Sequence, residues 1–357
     1  MVPMRTGRNG LAVLMSLVLL AFTTPACQPS VSANRNAEIG MTLHRRGSDH
    51  ASLKRQFDLM VAMNVSWVRM DIDWASIETE RGQLDWSTPD MIASEAADHG
   101  IHVLAVFAFS PAWAAAPATS HSSTTRHSRP GEMADYARFA TLAAERYAPR
   151  GVHTWEIWNE PNSDKFWPPL PNPDEYAALF RVAAQTIRGV DPQATLLIGG
   201  LAPEPDPPNI GLTPMRYLDR LYSNGAAQLA DGIAVHPYSF PSLPNDPDQQ
   251  PEGGFKDLAD LHKLMEKHGD GQTKIWITEF GAPTGKGPDA VSDQMQAAIL
   301  LQARHQAEEW EWAGPLIYYE LVDGGTDPTD IEQNFGVLRE NLTLKASALA
   351  LMGTAPA

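Results

Sequence analysis

The sequence predicts an α/β protein folded as a single-domain (β/α)8 TIM barrel, on three observations. Eight short β-rich apolar runs alternate with segments of helical periodicity, which is the signature of parallel βα units. The chain has 357 residues, enough for a barrel of ~250 residues with loop insertions once an N-terminal segment is set aside. The turn after the first run, Leu43-His44-Arg45-Arg46-Gly47, has none of the GxGxxG spacing that a doubly wound open sheet would place there.

The N-terminal segment comes first. Arg5 and Arg8 precede an apolar run from Leu11 to Phe22, and Thr23-Thr24-Pro25-Ala26-Cys27 follows. A basic start, a short apolar stretch and small residues make a secretory signal, too short to span a bilayer comfortably. Cleavage after Val31-Ser32-Ala33 would remove residues 1–33 and leave 34–357 as the folded domain. Cleavage just before Cys27 would instead leave an acylated cysteine, the one route by which membrane attachment is expected. Pro25 suits that second pattern poorly.

The barrel units follow in order. The first strand is expected at Ile39–Leu43, followed by a helix at Leu53–Met63. The second is at Trp67–Asp71, with its helix at Met91–His99 closed by Gly100. The third runs over Ile101–Phe107 to a helix at Met133–Tyr147, and the Ser-, Thr- and His-rich stretch Thr119–Arg129 between them reads as a flexible loop and candidate lid. The fourth is Thr154–Trp158, with its helix at Glu175–Val190, which Asp174 is expected to cap and Pro192 to follow. The fifth, sixth and seventh are Thr195–Gly199, Gly232–Val235 and Lys274–Thr278, with helices at Met215–Ser223, Phe255–His268 (Gly269 beyond its end) and Ser292–Trp312. The eighth is Pro315–Tyr319. One short helix follows, and no appended β-sandwich is expected.

Composition excludes several functions. Lys and Arg total 27 against 43 Asp and Glu, so the phosphate-neutralising surface that nucleic acid needs is missing overall. The single cysteine rules out a disulfide framework, and the 11 histidines show no HExxH spacing. No metal and no cofactor are expected, and the chain is expected to be a monomer.

In a closed barrel, chemistry sits at the C-terminal ends of the strands. Those positions hold His44, Arg69 with Asp71 and Trp74, Ser110 to Trp113, Asn159-Glu160-Pro161, His236-Pro237-Tyr238, Glu279-Phe280-Gly281 and Tyr319-Glu320. Glu160 and Glu279 end the fourth and seventh strands and face each other across the mouth. Cleaving an acetal needs a proton for the leaving oxygen and a partner for an oxocarbenium-like centre, and two carboxyl groups in unlike environments supply both.

The runs Trp155-Glu156-Ile157-Trp158-Asn159-Glu160-Pro161-Asn162 and Trp276-Ile277-Thr278-Glu279-Phe280-Gly281 resemble the acid/base and nucleophile segments of clan A retaining glycoside hydrolases. Within the clan the chain resembles glycoside hydrolase family 39 in its bacterial exopolysaccharide-hydrolase-like branch. Phe166-Trp167, Gly199-Gly200-Leu201-Ala202-Pro203, His236-Pro237-Tyr238 and Asp323-Gly324-Gly325-Thr326-Asp327-Pro328 with Asn334-Phe335-Gly336-Val337-Leu338 extend the likeness over roughly residues 38–350. It implies Glu160 as acid/base, Glu279 as nucleophile, Asn159 on the sugar 2-hydroxyl, Arg69 keeping the nucleophile ionised, and His236 and Tyr238 bordering it. Tyr319-Glu320 departs from the Trp that clan members often carry there.

His44 and Glu320, at the same rim, are candidate sugar contacts, Glu320 alternatively a loop brace. Trp113 and Trp167 are candidate stacking platforms for apolar sugar faces. Strict strand alternation puts Glu156 on the side of Glu160 but deeper, as a buried hydrogen-bonded group rather than a catalyst. The implied function is retaining hydrolysis of an extracellular or cell-envelope polysaccharide or of a β-xyloside. The competing reading is a catalytically silent, glycan-binding surface lipoprotein, against which two mutually repelling carboxylates weigh.

Overall fold

A computed structural model describes residues 38–44, 49–117, 126–205, 212–248 and 252–353. All the described residues fall within one unit of the chain, residues 36–357. The expected export signal with Cys27 lies outside the described residues, as do residues 119–125 of the candidate lid.

Eight parallel strands close into a barrel in chain order. They are β1 (Ile39–Thr42), β2 (Trp67–Asp73), β3 (His102–Ala108), β4 (Thr154–Asn159), β5 (Thr195–Leu201), β6 (Gly232–Val235), β7 (Lys274–Phe280) and β8 (Ala313–Tyr318). Closure is explicit at β1, where Met41 pairs with Val68 of β2 and with Tyr318 of β8. The expected βα alternation holds, with strand ends displaced by one or two residues. The helices are α1 (His50–Ala62), α2 (Trp74–Ile77), α3 (Ser87–His99), α4 (Met133–Tyr147), α5 (Pro173–Val190), α6 (Pro214–Ser223), α7 (Leu258–Lys267), α8 (Asp293–Glu309) and α9 (Ala346–Leu351).

Helix boundaries differ from expectation in several places: α1 begins at His50 and α3 at Ser87, three and four residues ahead of the expected Leu53 and Met91, and the short α2 was not expected. Asp174 does not cap α5. Pro173 takes the first helical position, where its fixed φ fits and its missing N–H costs nothing, so the cap falls to Asn172, whose side chain accepts from the N–H of Asp174 and Glu175. The segment Phe255–His268 divides into a 3₁₀ turn, Phe255–Asp257, and α7. The last long helix stops at Glu309 because Trp310 leaves helical geometry and stacks on Trp312 at 4.5 Å.

Two apolar layers hold the barrel. The outer one seats strand side chains against helix faces, as where Phe107 of β3 meets Tyr136 and Phe139 of α4. The inner one is small: Leu104, Leu197, Ala234 and Ile317 fill the bore, with Trp67 and Trp276 packed against them. These two indoles meet edge to face at 5.1 Å and make a floor at the N-terminal end of the barrel. Gly232 admits that floor, since a Cβ there would lie 2.9 Å from Trp276 Cδ1. Toward the C-terminal ends of the strands the interior changes from hydrocarbon to charge, which is tolerable only where each ion is paired.

Candidate active site

The charged layer begins on β2 with Arg69, 2% exposed. Its Nε and Nη2 donate to Glu156 of β4 at 3.0 and 3.1 Å, its Nη1 donates to Glu279 of β7 at 2.5 Å, and its Nη2 also reaches Asn159 Oδ1 at 3.0 Å. A planar guanidinium presents this fork of donors in one plane, which a lysine cannot reproduce.

The end of β4 explains how neighbouring residues reach one cleft. Trp158 has φ +72° and Glu160 φ +45°, left-handed values that each cost roughly 1–3 kcal/mol in a non-glycine residue and gather at functional sites. Trp158 packs on Trp167 and Phe109 and donates from Nε1 to Phe166 O at 2.9 Å. Strand alternation is thereby broken, and Asn159 and Glu160 both line the cleft. Glu156 lies beneath them, fully buried, as alternation up to that point requires. The backbone stays anchored, with Glu160 N donating to Gly200 O at 3.0 Å.

Glu160 and Glu279 meet at His236, the residue that directly follows β6. Its Nδ1 lies 2.8 Å from Glu160 Oε1 and 3.5 Å from Glu279 Oε2, and its Nε2 lies 3.6 Å from Glu156 Oε1. One carboxylate oxygen each from Glu160 and Glu279, together with His236 Nδ1, all fall within 4.8 Å of one another. Retaining glycosidases hold their carboxyl groups ~5–5.5 Å apart and inverting ones ~6.5–9.5 Å. Tyr238 donates its hydroxyl to Glu279 Oε2 at 2.8 Å.

Burial pushes every ion here toward neutrality, and the partners reverse that. For His236, the carboxylates of Glu279, Glu156 and Glu160 outweigh burial and lift the imidazole to about 9. Glu156, despite burial, is brought down to about 2 by Arg69 and His236. Burial also opposes ionisation of Glu279, yet the charges of His236 and Arg69 and the Tyr238 hydrogen bond hold it below the ordinary carboxylate range. The close spacing of Glu160, His236 and Glu279 is that of ion pairs, His236 Nδ1 lying 2.8 Å from Glu160 and 3.5 Å from Glu279.

Above the carboxylates opens a cleft of about 980 Å³. Its wall beside Glu160 is built from Phe109, His127 and Phe166, the His127 ring lying 4.8 and 4.6 Å from the two phenyl centroids. The wall beside Glu279 is built from Tyr238, Phe240, Tyr319 and Phe335 in edge-to-face contacts. His44 and Asp71 complete the rim.

The expected site residues divide accordingly. Glu160, Glu279, Asn159, Arg69, Tyr238 and His44 line the cleft. His236 is buried behind the carboxylates rather than exposed to a ligand. Glu320 is buried too, its Oε2 held 2.9 Å from His44 Nδ1, so it braces His44 instead of reaching the cleft. The two stacking tryptophans are corrected. Trp167 is 1% exposed and packs on Trp158 and Tyr176 in the core. Trp113 lies edge-on to Trp74 and donates to Glu78 O at 2.9 Å, away from the cleft. Their places are taken by Phe166, adjacent to Trp167 on the opposite side of the loop, and by Phe109 at the end of β3. The usable signal was position: Phe109 follows the third strand directly.

Comparison with known proteins places these features in context. The family model described as cellulase (glycosyl hydrolase family 5) matches residues 31–314. A segment of 60 residues, 16% of this chain, is 45% identical to a beta-xylosidase of Geobacillus stearothermophilus, of which it spans 11%. Among solved structures, a family 39 glycoside hydrolase from Bacteroides cellulosilyticus WH2 superposes with a TM-score of 0.71 at 23% identity, over 90% of this chain and 64% of that one. A monomeric beta-xylosidase from Caulobacter crescentus CB15 superposes with a TM-score of 0.66 at 17% identity, over 90% and 68%. The chain thus spans less than two thirds of the Bacteroides enzyme and about a tenth of the Geobacillus one. At these identities the superpositions establish the barrel fold alone.

Proposed function

The chain belongs to the cellulase (glycosyl hydrolase family 5) family of clan A, and from that membership we propose that it is a retaining glycosidase working through a glycosyl ester on Glu279. The observation that carries this reading is the pair of carboxyl groups with oxygens within 4.8 Å, of which Glu279 is held ionised by Arg69, His236 and Tyr238.

In the first step a Glu279 oxygen bonds to the anomeric carbon, the bond to the leaving oxygen breaks, and Glu160 gives that oxygen its proton. In the second, water attacks the anomeric carbon, its proton passes to Glu160, and the ester bond to Glu279 breaks. Asn159 faces the cleft with its amide oxygen fixed by Arg69, leaving the amide nitrogen for a sugar hydroxyl.

The likeness to family 39 structures and to a β-xylosidase segment supports a β-xyloside or an extracellular or cell-envelope polysaccharide as substrate. Export through the N-terminal segment, free or lipid-anchored at Cys27, and a monomeric state belong to the same proposal. The test is a glycan panel with product anomers read by NMR. Retention is expected, and inversion overturns the mechanism. An activated 2-fluoro sugar should label Glu279; absence of any label, with no turnover across the panel, would favour a silent glycan-binding barrel. Replacing Glu160 by Ala should slow substrates with poor leaving groups by ~10²–10⁴-fold while sparing good ones, as loss of a general acid does.

A further inference from the structure

The proposed reaction leaves one buried acid without a task. Glu156 is completely buried below the cleft carboxylates, yet its carboxylate accepts three hydrogen bonds. It accepts two bonds from Arg69 and one from Gly200 N at 2.9 Å, and His236 Nε2 faces it at 3.6 Å. Tyr176, approaching from α5, donates to Ile157 O and leaves Glu156 to Arg69 and His236.

The charges of the four most buried ions cancel: Arg69 and His236 are positive, Glu156 and Glu279 negative. The geometry gives each cation two duties. Arg69 spends Nε and Nη2 on Glu156 and Nη1 on Glu279. His236 turns Nε2 to Glu156 and Nδ1 to Glu160 and Glu279. A neutral imidazole carries one proton; with Nδ1 donating to Glu160 Oε1, only the imidazolium also turns an N–H toward Glu156, at ion-pair rather than hydrogen-bond distance. When Nδ1–H donates to Glu160 Oε1, the transferable proton of Glu160 is left on Oε2.

We propose that Glu156 is a positioning residue for the reaction: its buried negative charge clamps Arg69 and His236 from beneath, fixing them as the donors that orient Glu279 and Glu160. This rests on the roles proposed above for those two acids. The groups facing His236 are Glu156 and Glu160 from β4 and Glu279 from β7, so removing the charge at 156 lowers the proton affinity of the ring between them. The imidazolium state of His236 agrees with this arrangement.

The experiment compares wild type, Glu156→Gln and Glu156→Asp in protein labelled with ¹⁵N-histidine. The His236 signals are assigned by their loss in His236→Asn. In wild type both ring nitrogens should be protonated at pH 7. In Glu156→Gln the His236 titration should fall by about 1–3 pH units, and the alkaline limb of kcat/KM should move down with it. Glu156→Asp, which keeps the charge, should hold both near their wild-type positions. A Glu156→Gln protein that is slower but has an unmoved His236 titration and pH limb has lost only a brace, which overturns the proposal. If Glu156→Gln does not fold, a neutral His236 in wild type at pH 7 overturns it and an imidazolium supports it. The NMR readout does not depend on which glycoside is cleaved, so this failure is separable from product inversion, which would sink the mechanism instead.

Discussion

Gly200 of β5 sits against the His236 ring, where a Cβ would lie 1.9 Å from Nε2. Gly200→Ala therefore has to push the imidazole off its three carboxylates. The expected cost is ~1–3 kcal/mol from overpacking, read by urea unfolding, together with a fall in kcat/KM that an equally destabilising surface variant would not show. Arg69→Met removes the cation from two buried acids and should destabilise by ~3–5 kcal/mol, the cost of an uncompensated buried charge. Where the variant still folds, Glu279 loses an attraction that holds its carboxyl low, so the acid limb of kcat/KM should move to higher pH; an unmoved limb would remove Arg69 from the ionisation of Glu279. The positions of Glu160, Glu279 and Arg69 were legible because strand ends in a barrel share one rim. The aromatic platforms were not, because Phe166 and Trp167 are adjacent and one backbone rotation decides which ring enters the cleft. The left-handed Trp158 likewise has no sequence mark, since tryptophan shows no preference for that conformation.

At the scale of elements, the loop after β8 shows how rim residues are held. Lys345, just before α9, is buried and places Nζ 2.7 Å from Asp323 Oδ1, 2.8 Å from Thr284 Oγ1 and 3.2 Å from Asn334 O. Gln296 of α8 donates to the carbonyls of Ala282, Phe335 and Gly336 and accepts from Ser347. These ties link the segments after β7 and β8 to the last two helices and so fix Phe335 in the cleft wall. Lys345→Met should destabilise by ~3–5 kcal/mol by stranding Asp323, and it should raise KM more than it lowers kcat, because the wall shifts while the carboxylates stay. Asn172→Ala should cost ~1 kcal/mol through loss of the α5 cap, whereas Asp174→Ala should leave that cap intact. Helix centres were readable from periodicity. Ends depended on competition between neighbours: Pro173 claims the first turn ahead of Asp174, and the Trp310–Trp312 stack draws the chain out of α8 before the apolar pattern ends.

For the whole molecule, the buried ions predict a two-sided pH profile of stability. Glu156 is lowered from 4.5 to about 2, so its contribution is complete above 4.5 and lost as pH falls toward 2. His236 is raised from 6.5 to about 9, so its contribution is complete below 6.5 and lost as pH rises through 9. Melting temperature should therefore be highest between about pH 4.5 and 6.5 and fall on both sides, and Glu156→Gln should blunt the acid side. The closed barrel was legible from eight alternating units because each strand pairs with its neighbours in chain order. Which side chains fill the bore was not, because strand tilt in a closed sheet brings Leu104, Leu197, Ala234 and Ile317 to one level and no local pattern records it. That hydrocarbon plug and the paired indoles under it close the bore beneath Glu160 and Glu279, which line the cleft at the C-terminal ends of the strands. If the proposed glycosyl ester on Glu279 forms, the water that frees it enters by the cleft that the first product has just vacated. On that proposed mechanism, another sugar at high concentration would hold the doorway, and the ester should then be handed to its hydroxyl instead of to water.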